Sequence, residues 1–95
     1  MIKVTVRIPS ALQVHAAGLS EVRLSVDDDA TVGQLLEVLR AEHPGVVDRV
    51  LDEAGRQRRH VNVFVGPDSI RALSDLETRV NPGADVTIME GASGG

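Results

Sequence analysis

The 95-residue sequence contains no cysteine, which excludes disulfides, cysteine nucleophiles and thiolate-held zinc or iron–sulfur centres. It contains no tryptophan or tyrosine, and its one phenylalanine is Phe64, so it lacks the stacking platforms that bind single-stranded nucleic acid. The formal net charge is −4, the wrong sign for a domain that binds a phosphate backbone. We therefore do not expect a nucleic acid partner.

The sequence also lacks long hydrophobic runs. No apolar stretch approaches the roughly 20 residues that span a bilayer. Residues 1–7 alternate between apolar and polar side chains instead of forming the apolar region of a signal peptide. Apolar residues make up 42% and charged residues 25%, as in ordinary globular domains, and the length suits one small domain. We expect a single cytoplasmic domain without a membrane partner.

Apolar residues at every second position predict four β-strands, at residues 2–8, 22–26, 61–65 and 85–89. The first two strands should form a hairpin. Residues 11–19 show no clear pattern and are predicted to be its long connecting loop. Residues 70–80 are ambiguous, and we interpret them as a short edge strand followed by a tight turn.

One α-helix is strongly predicted between the second and third strands. Thr31 and Gln34 have the spacing of a capping box, in which each side chain bonds the other residue's backbone N–H. The apolar residues that follow recur at helical spacing and form one stripe: Val32, Leu35, Leu36 and Leu39. Pro44 and Gly45 should end this helix. Apolar residues within 46–51 indicate a short second helical turn.

This element order predicts an α+β fold of the β-grasp, or ubiquitin-like, type. Its mixed sheet carries one main helix on one face, and the last strand lies between the first and third. The predicted domain covers residues 1–89, and residues 90–95 are expected to form a flexible C-terminal Gly-Gly tail.

The sequence offers no conventional active site. It contains no nucleotide-binding or nucleophile-elbow motif. His15, His43 and His60 are not at metal-ligand spacing, so no metal or cofactor is expected. The acidic run at residues 27–29 lacks the pattern of a calcium loop and is predicted to be a solvated turn.

Residues 56–60 contain the one basic cluster: Arg56, Arg58, Arg59 and His60. The simple interpretation is a solvated loop. The alternative is a site for an anion or a protein partner.

Gly94 and Gly95 are the final two residues of the sequence. A terminal Gly-Gly is a weak motif, and an idle terminus is the simple interpretation. It nevertheless suits one chemistry, in which the Gly95 carboxylate enters another protein's narrow site and attacks the α-phosphate of ATP. Because glycine has no Cβ, Gly94 can pass through a tunnel that a side chain would block.

A folded domain whose C-terminal end enters another protein's site should carry a docking surface for that protein beside this end. Strand parity places Phe64 and Met89 on the open face of the sheet, as neighbours flanked by Arg7, if Val63 and Ile88 face the core. We predict a partner-docking site there. The alternative is that Phe64 fills the core under a loop.

The chain resembles the MoaD/ThiS sulfur carriers, the prokaryotic relatives of ubiquitin, and is most similar to their CysO-type branch. The resemblance covers nearly the whole length and is carried by Val6-Arg7-Ile8-Pro9, Thr31-Val32-Gly33, Pro44-Gly45, Arg49-Val50-Leu51-Asp52-Glu53-Ala54-Gly55, Val61-Asn62-Val63-Phe64-Val65, Pro82-Gly83-Ala84-Asp85-Val86-Thr87-Ile88 and Gly94-Gly95.

The resemblance implies a carrier that is a co-substrate and not itself an enzyme. A MoeB/ThiF-type enzyme would adenylate the Gly95 carboxylate, and sulfur transfer would leave a C-terminal thiocarboxylate. In the CysO-type branch the sulfur acceptor is an activated serine on a synthase of the cysteine synthase type. A metal-dependent peptidase then releases cysteine and regenerates the Gly-Gly end.

Two alternatives stay open. The chain could be the small subunit of molybdopterin synthase, with a pterin as the sulfur acceptor. It could also be a ubiquitin-like modifier joined to target proteins through Gly95, and Lys3 is then its one lysine for self-linkage.

Overall fold

The computed structural model describes residues 1–90. Its regular elements, in chain order, are the strands β1 (Ile2–Arg7) and β2 (Glu21–Val26), the helices α1 (Val32–Glu42) and α2 (Pro44–Val50), and the strands β3 (Val61–Val65), β4 (Asp68–Ser69) and β5 (Asp85–Glu90). Three 3₁₀ helices lie at Ser10–Ala16, Ile70–Ala72 and Asp75–Glu77.

The five strands form one mixed sheet in the order β2-β1-β5-β3-β4. β1 and β2 pair antiparallel, with Val4 opposite Leu24, which confirms the predicted hairpin. β5 lies between β1 and β3, parallel to the first and antiparallel to the second. The α+β β-grasp prediction is confirmed, including the central position of the last strand.

The connection between β1 and β2 differs from the predicted unpatterned loop. Residues Ser10–Ala16 form a 3₁₀ helix that buries Leu12 and Ala16. A helix with three residues per turn does not produce the apolar spacing of an α-helix, so the periodicity gave no signal. The helix ends at Ala17, whose φ of 54° is left-handed.

The predicted capping box begins α1. Thr31 Oγ1 accepts from Gln34 N at 3.2 Å, and Gln34 Oε1 accepts from Thr31 N at 2.9 Å. The apolar stripe faces inward, and its four residues are fully buried: Val32, Leu35, Leu36 and Leu39. Burial of each such side chain contributes about 1.5–3 kcal/mol of transfer free energy.

Pro44 separates the two helices. α1 ends at Glu42, and Pro44 is the first residue of α2. A backbone N–H at this position has no acceptor within the helix, so proline loses no hydrogen bond there. The predicted second helical turn is thus a helix of 7 residues. None of the helices within residues 1–90 is long and apolar enough to cross a membrane.

One face of the sheet packs against the helices and forms the core. Every second residue of the strands points into it, including Val4, Leu24, Val63 and Ile88. Val46, Val47 and Val50 of α2 are also completely buried there. The opposite face of the sheet is not covered by α1 or α2, which leaves it open for the site.

The segment between β3 and β5 differs from the predicted edge strand within residues 70–80. The edge strand is Asp68–Ser69, and two 3₁₀ helices follow it. A two-residue strand is too short to show alternation, which is why the sequence placed it wrongly. Backbone bonds from Val80 N to Ala30 O (3.0 Å) and from Val32 N to Thr78 O (2.8 Å) fasten the segment to the start of α1.

Candidate functional site

The open face of the sheet is centred on β5. Because Val86 and Ile88 are buried, the alternation of β5 turns Thr87 and Met89 to the open face. Thr87 lies opposite Arg7 of β1 on one side and opposite Phe64 of β3 on the other. The fold therefore brings the three predicted docking residues to one face.

Phe64 and Met89 are diagonal neighbours on this face. Phe64 pairs with Thr87, and Met89 pairs with Asn62, a register in which the two Cα atoms are about 7–8 Å apart. Met89 is 50% exposed, and Phe64 is half-buried and outside the core cluster. The alternative in which Phe64 fills the core is not what the structure shows.

Arg7 lies on the open face and joins three strands by ion pairs. Its Nη1 is 3.1 Å from Glu21 Oε1 on β2, and its Nη2 is 3.5 Å from Asp85 Oδ2 on β5. Exposed pairs of this kind contribute little to stability. They do hold the guanidinium between Glu21 and Asp85, and they balance its charge locally.

A groove of about 410 Å³ lies beside Met89. Its walls are the end of β1 and the start of the first 3₁₀ helix on one side and the last residues of β5 on the other: Arg7, Ile8, Pro9, Ser10, Ala11, Thr87, Ile88, Met89 and Glu90. The contribution of residues 8–11 was not predicted from the sequence. Pro9 was the available signal, because it follows the end of β1 and lines the groove.

Gly94 and Gly95 lie outside the described residues, which end at Glu90. β5 extends to Glu90, opposite Val61, one residue beyond the predicted end of the strand. The described part of β5 therefore ends at the centre of the sheet, next to Met89 and the groove.

The acidic run and the histidines have surface positions. Asp27, Asp28 and Asp29 are exposed, and Asp29 lies 3.7 Å from Arg79. Within residues 1–90, no three or more His, Cys, Asp or Glu side chains are grouped so that they could hold a metal ion.

Asp52 carries the one resolved pKa shift among residues 1–90. Its Oδ1 accepts from the backbone N–H groups of Arg56 (3.0 Å) and Ala54 (2.9 Å). These bonds, with the bond from Arg56 first, hold the pKa of the carboxyl below its usual value, and the Arg56 guanidinium adds to the effect. This acidic turn organises the loop after α2 and lies away from the docking residues.

A mixed five-stranded sheet with a central C-terminal strand and one main helix across its face defines the ubiquitin-like β-grasp class. The sequence model of the ThiS family matches residues 7–95, and the chain belongs to this family.

Known relatives agree with this assignment. The sulfur carrier protein CysO of Mycobacterium tuberculosis is 34% identical over 94 residues, which cover 97% of this chain and 98% of CysO. Small archaeal modifier protein 3 of Haloferax volcanii is 33% identical over 81 residues, covering 85% of this chain and 87% of that protein. A chain in the crystal structure of the Amycolatopsis orientalis BexX/CysO complex superposes with a TM-score of 0.86 at 32% identity and covers 97% of this chain and 99% of its own length.

Proposed function

We propose that this protein is a ubiquitin-like sulfur carrier whose Gly95 carboxylate is activated and converted to a thiocarboxylate. The observation that carries the proposal is the course of β5. This central strand passes between Arg7 and Phe64 and ends five residues before Gly95, beside an exposed apolar pair. Relatives named as sulfur carriers cover almost the full length of the chain and support it.

The proposed chemistry takes place in partner enzymes. A Gly95 carboxylate oxygen attacks the α-phosphate of ATP, forms an acyl-adenylate and releases pyrophosphate. A hydrosulfide-level donor then attacks the acyl carbon and displaces AMP, which leaves a thiocarboxylate. The carrier itself is a co-substrate in both steps, and the activating partner is an adenylating enzyme of the MoeB/ThiF type.

Gly94 and Gly95 suit this chemistry because they have no side chains. The Gly95 carboxylate oxygen must reach the α-phosphate within a narrow site of the adenylating enzyme. An extended Gly-Gly segment occupies the smallest cross-section that a polypeptide can have. We propose that Gly94 threads this site and that Gly95 reacts.

The open face supplies the docking surface in this proposal. Met89 and Phe64 offer adaptable and aromatic apolar contacts, both of which are favoured at protein interfaces. Arg7 adds a polar rim beside them, held by Glu21 and Asp85. A partner seated on this face would receive the chain as it leaves β5.

We propose that the transferred sulfur ends in cysteine or in a related sulfur-containing metabolite. The CysO relatives support this choice. The acceptor enzyme would then be a synthase of the cysteine synthase type, followed by a metal-dependent peptidase that restores the Gly-Gly end. The complex of an Amycolatopsis orientalis CysO with the protein BexX supports docking of this chain on a partner protein.

The proposal is tested by reconstitution of adenylation. The ThiF-type enzyme of the same organism, incubated with ATP and the carrier, should catalyse exchange of pyrophosphate into ATP. Gly94→Val should abolish the exchange without changing thermal unfolding, and Gly94→Ala should give an intermediate rate. Equal exchange rates for Gly94→Val and the parent protein would contradict threading through a narrow site.

A second candidate is conjugation to proteins, which the similarity to small archaeal modifier protein 3 favours. In that case the activated Gly95 acyl group would be transferred to an amine. Mass spectrometry of tagged protein from its own cells would reveal isopeptide-linked Gly-Gly remnants on target lysines.

A further inference from the structure

A group of arginines surrounds the point where β5 ends. Arg58 and Arg59 belong to the turn just before β3, and Val61 N donates to Arg58 O at 3.1 Å to close that turn. Val61 lies opposite Glu90, the last residue of β5. Arg49 of α2 lines the same depression of about 390 Å³ as Arg58 and Glu90.

Arg71 joins this group from the segment that follows β4. Its Nη2 donates to Arg58 O at 2.7 Å, and its Nη1 donates to Asn62 Oδ1 at 2.6 Å. Asn62 is opposite Met89, so Arg71 lies along the edge of the proposed docking face. We call the four residues Arg49, Arg58, Arg59 and Arg71 the basic collar.

Neutral oxygens hold three of the four collar arginines in place: Arg49, Arg58 and Arg71. Arg58 donates from Nε (3.2 Å) and Nη2 (3.0 Å) to Asp48 O, and Arg49 donates from Nη1 to Gly45 O at 3.0 Å. Because these acceptors are backbone carbonyls, the bonds fix the guanidinium groups without cancelling their charge. Less side-chain entropy is then lost when a partner binds them.

The collar arginines form no close ion pair within residues 1–90, although the charge of Arg58 also acts on the Asp52 carboxylate. Within residues 1–90, ion pairs shorter than 4.0 Å involve Arg7, Arg40, Arg56 and Arg79 but none of the collar arginines. Asp48 lines the depression, yet its carboxylate is 3.2 Å from Arg40. Glu90 is the other carboxylate in this depression, which Arg49 and Arg58 also line. The protein as a whole carries a net charge of −4, so the collar is a local reversal of sign.

We propose that the basic collar docks on a carboxylate-rich surface of the activating enzyme, around the entrance that receives the Gly-Gly end. The inference rests on the proposed function and names the chemistry of the partner surface. An acidic surface would repel the rest of this protein, which is negatively charged. It would attract the basic collar, which lies where β5 ends and the segment to Gly95 begins. Association is thereby steered with the reacting end first.

The position of the collar argues against ATP as its ligand. Gly95 is five residues beyond Glu90, a distance of about 17 Å for a fully extended chain. The collar thus lies at the entrance when Gly95 is at the α-phosphate. Protein carboxylates lining that entrance are the anions within its reach, and arginine binds them with two parallel hydrogen bonds.

Charge-reversal variants with a matched control test the proposal. Arg59→Glu and Arg49→Glu reverse exposed members of the collar. Arg79→Glu, beside the start of α1, makes the same charge change at an exposed arginine whose one ion pair within residues 1–90 is with Asp29 at 3.7 Å. Thermal unfolding checks that each variant folds.

The readout is pyrophosphate exchange by the ThiF-type enzyme of the same organism, measured against carrier concentration at low and high salt. We expect Arg59→Glu and Arg49→Glu each to lower kcat/KM about tenfold at low salt, with kcat nearly unchanged. The loss should shrink at high salt, because screening weakens exposed charge interactions. Arg79→Glu should stay within about twofold of the parent protein, since it lies outside the collar and outside the docking face.

Equal losses in all three variants, or none, would overturn the proposal for the collar while leaving carrier activation intact. If the parent protein supports no exchange, the proposed function fails first, and the collar proposal fails with it. The two failures are distinguished by the parent protein alone.

Discussion

Asp52 shows how one side chain organises the loop that carries the basic residues. Its carboxylate accepts two backbone N–H groups, from Ala54 and Arg56, and so stabilises the turn after α2. The sequence indicated a polar loop there, and Asp followed two residues later by Ala-Gly is typical of such a turn. Which backbone groups it binds depends on the folded turn.

We predict that the Asp52 carboxyl titrates below the usual value of 3.8. The folded state favours its charged form, so its contribution to stability is present above the unfolded pKa and is lost as the pH falls through the lower, folded pKa. An NMR titration of the Asp52 side-chain carbon measures the midpoint directly. Asp52→Asn should remove this part of the acid dependence, and a midpoint at or above 3.8 would contradict the assignment.

At the scale of elements, local patterns predicted most of the structure. The capping box and apolar stripe of α1 are encoded within nine residues, 31–39, and strand alternation fixed both the β1–β2 hairpin and β5. The 3₁₀ helix Ser10–Ala16 was not predicted, because its burial depends on α2, which packs against it from a distant part of the chain. The short strand β4 was misplaced for a related reason, since its pairing partner is β3.

Gly45 tests the contact between α2 and the first 3₁₀ helix. A Cβ at this position would lie 3.1 Å from His15 Cβ and 3.2 Å from His15 Nδ1. Alanine normally stabilises a helix relative to glycine by about 1 kcal/mol. Here we expect Gly45→Ala to lower the free energy of unfolding by about 1–2 kcal/mol, because the tightly packed His15 side chain must shift to admit the methyl group.

Urea unfolding of a double-mutant cycle measures this coupling. In a His15→Ala background the cost of Gly45→Ala should be smaller, since two of the three closest atoms belong to the imidazole ring. A Gly45→Ala protein that is more stable than its parent would show that the two helices are not in this contact.

The docking face is predicted to act through its apolar pair. Phe64→Ala and Met89→Ala should each lower kcat/KM for adenylation about tenfold, as expected for apolar anchors at an interface. Neither change should affect thermal unfolding strongly, because both side chains lie outside the core.

Leu73→Ala provides the control for this prediction. Leu73 is 48% exposed, close to the 50% of Met89, but it lies in the connection between β4 and β5. The kcat/KM for adenylation of the Leu73→Ala variant should match that of the parent protein. Equal effects of Leu73→Ala and Met89→Ala would mean that general surface hydrophobicity, not this face, determines activation.

For the whole molecule, the sequence was sufficient for the sheet order and for the face on which Arg7, Phe64 and Met89 lie. Strand parity depends only on the alternation of residues within each strand. The β-grasp connectivity then determines which strands are neighbours. The basic collar could be predicted only as a cluster at residues 56–60. Arg49 and Arg71 join it through α2 and the segment after β4, and Arg71 is placed by bonds to Asn62 and to Arg58 O. No pattern along the chain encodes these contacts.

The central claim is that Gly95 carries sulfur, and the absence of cysteine makes that claim directly measurable. Protein co-expressed with its genomic neighbours is treated with a thiol alkylator at neutral pH, and the intact and peptide masses are determined. Mass alone is ambiguous, because replacing oxygen by sulfur has the same nominal mass change as oxidising a methionine. We predict a single alkyl adduct, mapped to Gly95. No adduct, together with an adenylating enzyme shown to be active on this protein, would contradict the carrier function.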